Sequence, residues 1–155
     1  MSETIASRLA DRGIELPEAA APAANYLPYV QTGNAVYISG QLPLKDGKLV
    51  ATGLCGKDVD TEAGAKAAEI CAINILAQAK AALGGDLQKV ARVVKITGFV
   101  ASTPDFTEQH LVLNGASNLI ADILGEPGKH SRAAVGVASL PLNAAVEIEA
   151  VIEVK

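Results

Sequence analysis

The sequence predicts an α+β domain in which two long helices pack on one face of a β-sheet. Three observations carry this reading. Segments of strand and helix character follow in the order β-β-α-β-α-β-β. Two helices are too few to cover both faces of a sheet built from those strands. The last two strands alternate apolar residues with small or acidic ones, so only one face reads as core. A chain of 155 residues suits one domain, which at that size buries about 70% of its unfolded surface.

Residues 2–12 read as a short amphipathic helix, with Ser2 as N-cap, Ile5 and Leu9 one turn apart and Gly13 as the stop. It has the look of an appendage. Pro17 to Pro28 is too rich in Ala and Pro for a regular element and should run extended toward Tyr29 and Val30. Ala35 to Ser39 has the β-branched and aromatic content of a strand, ended by Gly40-Gln41-Leu42-Pro43. The turn Lys45-Asp46-Gly47-Lys48 then leads into a second strand at Leu49 to Ala51, which makes a hairpin. Asp60 or Thr61 caps a long helix that stops at Gly84-Gly85, with Ala67, Ile70, Cys71, Asn74, Ile75, Gln78 and Leu83 at helical spacing. Its alanines let it lie close on a sheet. After a strand at Val90 to Val100, Thr103 reads as the N-cap and Pro104 as the first residue of a second long helix ending near Gly125. The apolar stripe of that helix is Phe106, Leu113, Ala116, Ile120 and Leu124. Arg132 to Ser139 and Ala145 to Val154 complete the sheet, joined by Leu140-Pro141-Leu142-Asn143.

Half of the residues are hydrophobic, but aromatics are only three Tyr and two Phe, with no Trp. A core of Ala, Val, Leu and Ile buries little area per residue, and such a chain profits from covering a further face with copies of itself. The formal net charge is -4 and no run of Lys or Arg occurs, which removes the electrostatic footprint that nucleic-acid binding needs. Residues 1–13 mix charges with apolar side chains and do not read as a secretory signal. No segment reads as a membrane span, the most apolar helix carrying Lys66, Glu69, Asn74, Gln78 and Lys80. Two cysteines, Cys55 and Cys71, make no disulfide framework and fit a reducing, cytoplasmic setting.

Side-chain parity picks out the residues that could carry chemistry. In the last strand Val146, Ile148, Ala150, Ile152 and Val154 share one face and Glu147, Glu149 and Glu153 the other. In the strand before it, Val135 and Val137 oppose Arg132, Ala134, Gly136 and Ala138. This parity puts Arg132 on the uncovered face among small residues and carboxylates, where a subunit interface with a pocket would fit. A guanidinium there either grips a ligand carboxylate bidentately or forms a structural ion pair with Glu147 or Glu149. Glu147 is in turn a general base or water-positioning carboxylate, or that ion-pair partner. His130 precedes Arg132 by two residues and either neighbours it on the strand or is solvated; His110 reads as structural or exposed, Cys71 as core and Cys55 as a loop thiol. Gly53 to Lys57 lacks the spacing of a phosphate-binding loop. No His/Cys cluster has metal-ligand spacing, so no metal is expected.

The run Ser131-Arg132-Ala133-Ala134-Val135-Gly136-Val137-Ala138-Ser139-Leu140-Pro141, followed by Val146-Glu147-Ile148-Glu149-Ala150, resembles the C-terminal signature of the RidA/YjgF family of reactive-intermediate deaminases. Pro28-Tyr29-Val30-Gln31, Ile38-Ser39-Gly40-Gln41-Leu42-Pro43, Asn74-Ile75-Leu76, Phe99-Val100 and Asp105-Phe106 resemble other family blocks in the same order. The resemblance covers residues 25–155 as a single domain and leaves residues 1–24 as an N-terminal helix and extended arm. It implies a chorismate-mutase-like mixed sheet with two long helices on one face, a homotrimer with a site in each subunit cleft, and no cofactor. The implied reaction is hydrolytic deamination of short-lived 2-imino acids to 2-oxo acids and ammonia. Carried over by position, Arg132 would clamp the substrate carboxylate and Glu147 would hold the attacking water. Tyr29 of a neighbouring subunit, Ser39 and the backbone at Gly40 and Ala134 would line the pocket. Ala134 stands where many members have Cys, Leu27 where Gly is usual, and the helix asparagine of some members has two competing counterparts, Asn114 and His110. With the N-terminal extension and the lengthened stretch Gly125 to His130, these departures point to a longer subgroup whose substrate differs. Non-catalytic binding of a small carboxylate is the competing reading. Ribonuclease activity, an association the family carries, is disfavoured by the acidic charge.

Overall fold

The computed structural model describes residues 3–155. Ser2 lies outside the described residues, and the first helix, α1 (Ile5–Asp11), is capped by Thr4. The Thr4 hydroxyl accepts from the Ser7 N–H at 3.0 Å while the Thr4 N–H donates to Ser7 Oγ at 2.9 Å, a reciprocal box that satisfies two end groups at once.

The strands are β1 (Tyr29–Thr32), β2 (Ala35–Gln41), β3 (Leu44–Lys45), β4 (Lys48–Leu49), β5 (Val90–Ala101), β6 (Ser131–Val137) and β7 (Val146–Val154). The long helices are α2 (Thr61–Ala82) and α3 (Gln109–Leu124). Five strands form one mixed sheet in the order β1-β2-β7-β5-β6, in which only the β5–β6 pair is parallel. That pair brackets α3, because parallel neighbours need a crossover. The two-helix, one-face architecture expected from the sequence is thus observed.

Three local expectations change. The strand at Ala35 pairs with β1 and β7, and β3–β4 is a separate small hairpin. The main hairpin turns at Gly33-Asn34, where Gly33 alone takes a positive φ of 57°, as a two-residue turn with glycine at its first central position requires. The second long helix starts at Gln109, six residues after Thr103. Thr103 is occupied otherwise: its hydroxyl donates to Asp105 at 2.7 Å, its N–H donates to Cys55 O, and the segment is held as a loop against residues 53–58. Cys55 is accordingly buried with no exposed surface, where the sequence suggested a loop thiol.

Asp60 caps α2 by accepting from the Ala63 N–H at 2.7 Å. Ala67, Ala68, Cys71, Ala72, Ile75 and Leu76 of this helix are buried against the sheet with Ile38, Val146, Ile148 and Ala150. The two helices nearly touch: a Cβ on Gly115 of α3 would fall on the Ala65 carbonyl oxygen of α2, so glycine is required there. The α1 helix lies across the helix layer. Arg8 Nη1 donates to Ile123 O at 3.1 Å, and Arg12 reaches Asp122 at 2.6 Å and Glu69 at 3.4 Å. Ile5 and Leu9 pack partly against the core. The arm that follows is fastened by Gln78, whose buried amide donates to Ala20 O at 2.8 Å. Among the described residues, no helix is long and apolar enough to cross a membrane.

Candidate functional site

The alternation expected in β7 is observed, with Val146, Ile148, Ala150, Ile152 and Val154 buried and Glu147, Glu149 and Glu153 off the core face. In β6 the expected parity is reversed. Arg132, Ala134 and Gly136 stand in register with Ile96, Gly98 and Val100, whose side of the sheet is the helix-covered core. Val135 stands with Phe99 and Glu147 on the open face and is 43% exposed. The reason is the closeness of α3. A Cβ on Gly98 would run into Leu113, and one on Gly136 would meet Ser102 and Gln109. Small residues in β6 therefore mark where the helix presses on the sheet, not where the sheet is bare.

Arg132, at the start of β6, lies along α3. Its Nη1 donates to Ser117 Oγ at 3.1 Å and its Nη2 to the His110 carbonyl at 2.9 Å. The structural ion pair with Glu147 or Glu149 does not form; among the described residues no carboxylate pairs with this guanidinium. Its charge is half-buried and anchored by neutral oxygens. His130 does reach this cluster: its Nε2 lies 2.9 Å from Ser117 Oγ and its Nδ1 2.6 Å from Gly128 O. Asn114, one turn from both His110 and Ser117, is half-buried on the same helix face, whereas the His110 side chain is exposed and contributes only its carbonyl. Ser117 is the residue that sequence reasoning missed. Its signal was the i, i+4, i+7 line His110, Asn114, Ser117 facing the strand that carries Arg132.

Glu147 stands on the other side of the sheet. A cavity of about 400 Å³ is bounded there by Glu147, Gly40, Leu42, Tyr26, Leu142 and the arm residues 20–24. Glu147 folds over Gly40 so closely that any Cβ on Gly40 would collide with its carboxylate. Burial, reinforced by the nearby charge of Glu149, raises its pKa above the ordinary carboxylate value. Burial first, and Glu147 second, push the Cys71 thiol well up, so that cysteine is an inert core residue. Across the cavity, Leu142 and Asn143 hold positive φ values of 59° and 62°, a conformation that costs side-chain-bearing residues about 1 kcal/mol or more each.

The remaining predicted residues divide between these places. Gly40 borders the Glu147 cavity, and Ala134 lies under α3 near Arg132, packed partly against the core. Ser39 donates its hydroxyl to Leu27 O at 2.7 Å and so fastens the arm. Tyr29 pairs with the buried Ile38 and packs partly against the core, while Pro28 and Tyr26 beside it line the cavity. Arg132 and Glu147 do not converge in one copy. The β6 residue abreast of Glu147 is Val135, three residues (about 10 Å) along the strand from Arg132 and two strand spacings (about 10 Å) across the sheet from β7.

The sequence model of the family described as "YjgF/chorismate_mutase-like, putative endoribonuclease" matches residues 6–154. The chain is 50% identical over 153 residues to Protein TCP17 of Trypanosoma cruzi, covering 98% of this chain and 95% of that protein. It is 31% identical over 144 residues to a 2-iminobutanoate/2-iminopropanoate deaminase of Dermatophagoides farinae, covering 93% and 97%. The crystal structure of Atu1372 from Agrobacterium tumefaciens, a protein of unknown function, superimposes with a TM-score of 0.92 at 60% identity, covering 97% of this chain and 92% of that one. With matching signature, fold and near full-length coverage, the chain belongs to the RidA/YjgF family.

Proposed function

We propose that the protein hydrolyses small 2-imino acids to 2-oxo acids and ammonia, without a cofactor, at a site completed between copies of the chain in a homotrimer. The observation that carries this is the pair Arg132 and Glu147: a half-buried guanidinium with no ionic partner among the described residues, and a carboxyl with a raised pKa in a cavity. They sit on opposite faces of one sheet, so a small substrate can touch both only if a second copy brings its Arg132 to the first copy's Glu147. The open sheet face supplies a surface for that contact, since Val30, Tyr37 and Val135 lie there with 50%, 50% and 43% exposure.

In the assembled site Arg132 takes the substrate carboxylate through its remaining N–H donors. Glu147 holds a water against the imine carbon and accepts its proton as the C–O bond forms. The carbinolamine then loses ammonia once the nitrogen is protonated, a step for which a carboxyl that retains its proton more readily than usual is suited. Gly40, Ser39 and the backbone at Ala134 border the substrate, with Tyr29 contributed by the neighbouring copy. An imine is already electrophilic, so positioning supplies much of the acceleration and acid–base catalysis about 10²- to 10⁴-fold.

The test is to generate 2-iminopropanoate with a dehydratase and follow its decay with and without the protein. Wild type accelerates the decay and Arg132→Ala does not; a wild type without effect, or an Arg132→Ala as fast as wild type, sinks the reading. One observation favours a second reading, carboxylate binding without turnover: within a single copy Arg132 is available while Glu147 is out of reach. Calorimetry with pyruvate would then give binding abolished by Arg132→Ala, with a flat imine assay. Ribonuclease activity has no comparable support, given a net charge of -4.

A further inference from the structure

We propose that Ser117 and His130 are positioning residues that hold the Arg132 guanidinium in one orientation, through a directed chain of hydrogen bonds running from the strand to the helix and back to the loop. This rests on the reading of Arg132 as the carboxylate clamp, but its own geometry stands apart from any substrate.

The direction of each bond follows from what each atom can do. Gly128 O cannot donate, so the 2.6 Å contact assigns a proton to His130 Nδ1. In the neutral form of the ring Nε2 then carries the lone pair, 2.9 Å from Ser117 Oγ, and the serine hydroxyl donates to it. With its hydrogen committed there, Ser117 Oγ turns a lone pair toward Arg132 Nη1 at 3.1 Å. The second anchor, His110 O to Nη2 at 2.9 Å, belongs to the same helix. Two anchors on two terminal nitrogens fix the guanidinium plane, and of its five N–H donors three remain. Without His130, the Ser117 hydroxyl would be free to rotate onto a carbonyl of its own helix one turn back, as mid-helix serines do, and its lone pair would leave Arg132. Gly128 in turn has no room for a side chain, since a Cβ there would meet the Ile120 carbonyl of α3. The acceptor of the last bond is therefore held by the same helix that carries Ser117.

The same Ser–His pair could be read as a nucleophile and its base. The bond from Arg132 argues against that, because it occupies and withdraws density from the oxygen that would attack.

The experiment uses the full chain with ¹⁵N-labelled arginine, the Arg132 guanidinium signals being assigned by their loss in Arg132→Ala. In wild type the Nη signals of Arg132 are resolved by slow rotation about the Cζ–Nη bonds. In Ser117→Ala they merge, in His130→Phe they broaden, and in Ser117→Thr, which keeps the hydroxyl, they stay resolved. Paired titrations with pyruvate show a dissociation constant raised about tenfold in Ser117→Ala and restored in Ser117→Thr, and imine turnover shows the loss in KM rather than kcat. Merged Arg132 signals in wild type, or resolved ones in a folded Ser117→Ala, overturn the positioning role whatever the activity. Resolved signals that respond to the variants as stated, in a protein that binds no carboxylate, uphold the chain of bonds and overturn the clamp instead. Circular dichroism melting of each variant separates these results from misfolding.

Discussion

The helix-covered and open faces of the central sheet solve different problems with similar residues. Under α3, Gly98 of β5 and Gly136 of β6 are glycine because Leu113, Ser102 and Gln109 occupy the space a side chain would take. Arg132 reaches along the helix at the margin of this layer, where α3 offers oxygens but no carboxylate. On the open face, Tyr37 and Val135 are half-exposed, and Glu147 stands beside them in a cavity walled by the arm residues 20–24 and Leu142. One face positions a cation by packing and hydrogen bonds, and the other exposes apolar surface around an acid. A reaction that needs both groups requires the two faces of different copies to meet.

The largest effect comes from separating the two groups genetically. Arg132→Ala and Glu147→Gln chains should each lose about 10²-fold or more in imine turnover. Refolded together at equal amounts, they should regain about a quarter of wild-type activity, because in a ring of heterologous contacts a site drawing one group from each neighbour is intact with that probability. A mixture as inactive as its components would mean that each site is built within one chain.

Next come two glycines that face opposite ways. Gly40→Ala should displace the Glu147 carboxylate and lower turnover by up to about 10²-fold, with little change in the urea midpoint. Gly98→Ala should force Leu113 aside and cost about 1–3 kcal/mol of stability by denaturant titration. If Gly40→Ala unfolds the protein while leaving the specific activity of the folded fraction intact, the roles assigned to the two faces are wrong.

The smallest effect is electrostatic. Because Glu147 has a raised pKa in the fold, it binds its proton more tightly folded than unfolded. Its favourable contribution to stability is full below the ordinary carboxylate value and is lost as pH rises through the raised one. Glu147→Gln should therefore be as stable as wild type or slightly more so at neutral pH, and should lose that relative advantage as the pH falls toward about 4. A stability difference that grows on acidification would contradict this sign.

Much of the architecture was legible before any coordinates. The 3.6-residue spacing of Ala67, Cys71 and Ile75 and the strict alternation of β7 depend on local periodicity, and both are observed. The start of α3 is not legible in the sequence, because Thr103 and Pro104 carry a cap signal that the loop around Cys55 claims for itself. The facing of β6 is reversed from its hydropathy because a helix in close contact selects Gly or Ala on the covered side and leaves Val outside.

Sequence alone determined the two long helices and the strands β2, β5, β6 and β7, the singling out of Arg132 and Glu147, and the family resemblance, since each is written in residue types at short spacings. Only the tertiary structure decided that the two groups lie on opposite faces, and that Ser117 and His130 stand behind the arginine. Those facts depend on which strand follows the crossover and how near α3 approaches it. Such long-range packing leaves no periodic mark in the chain.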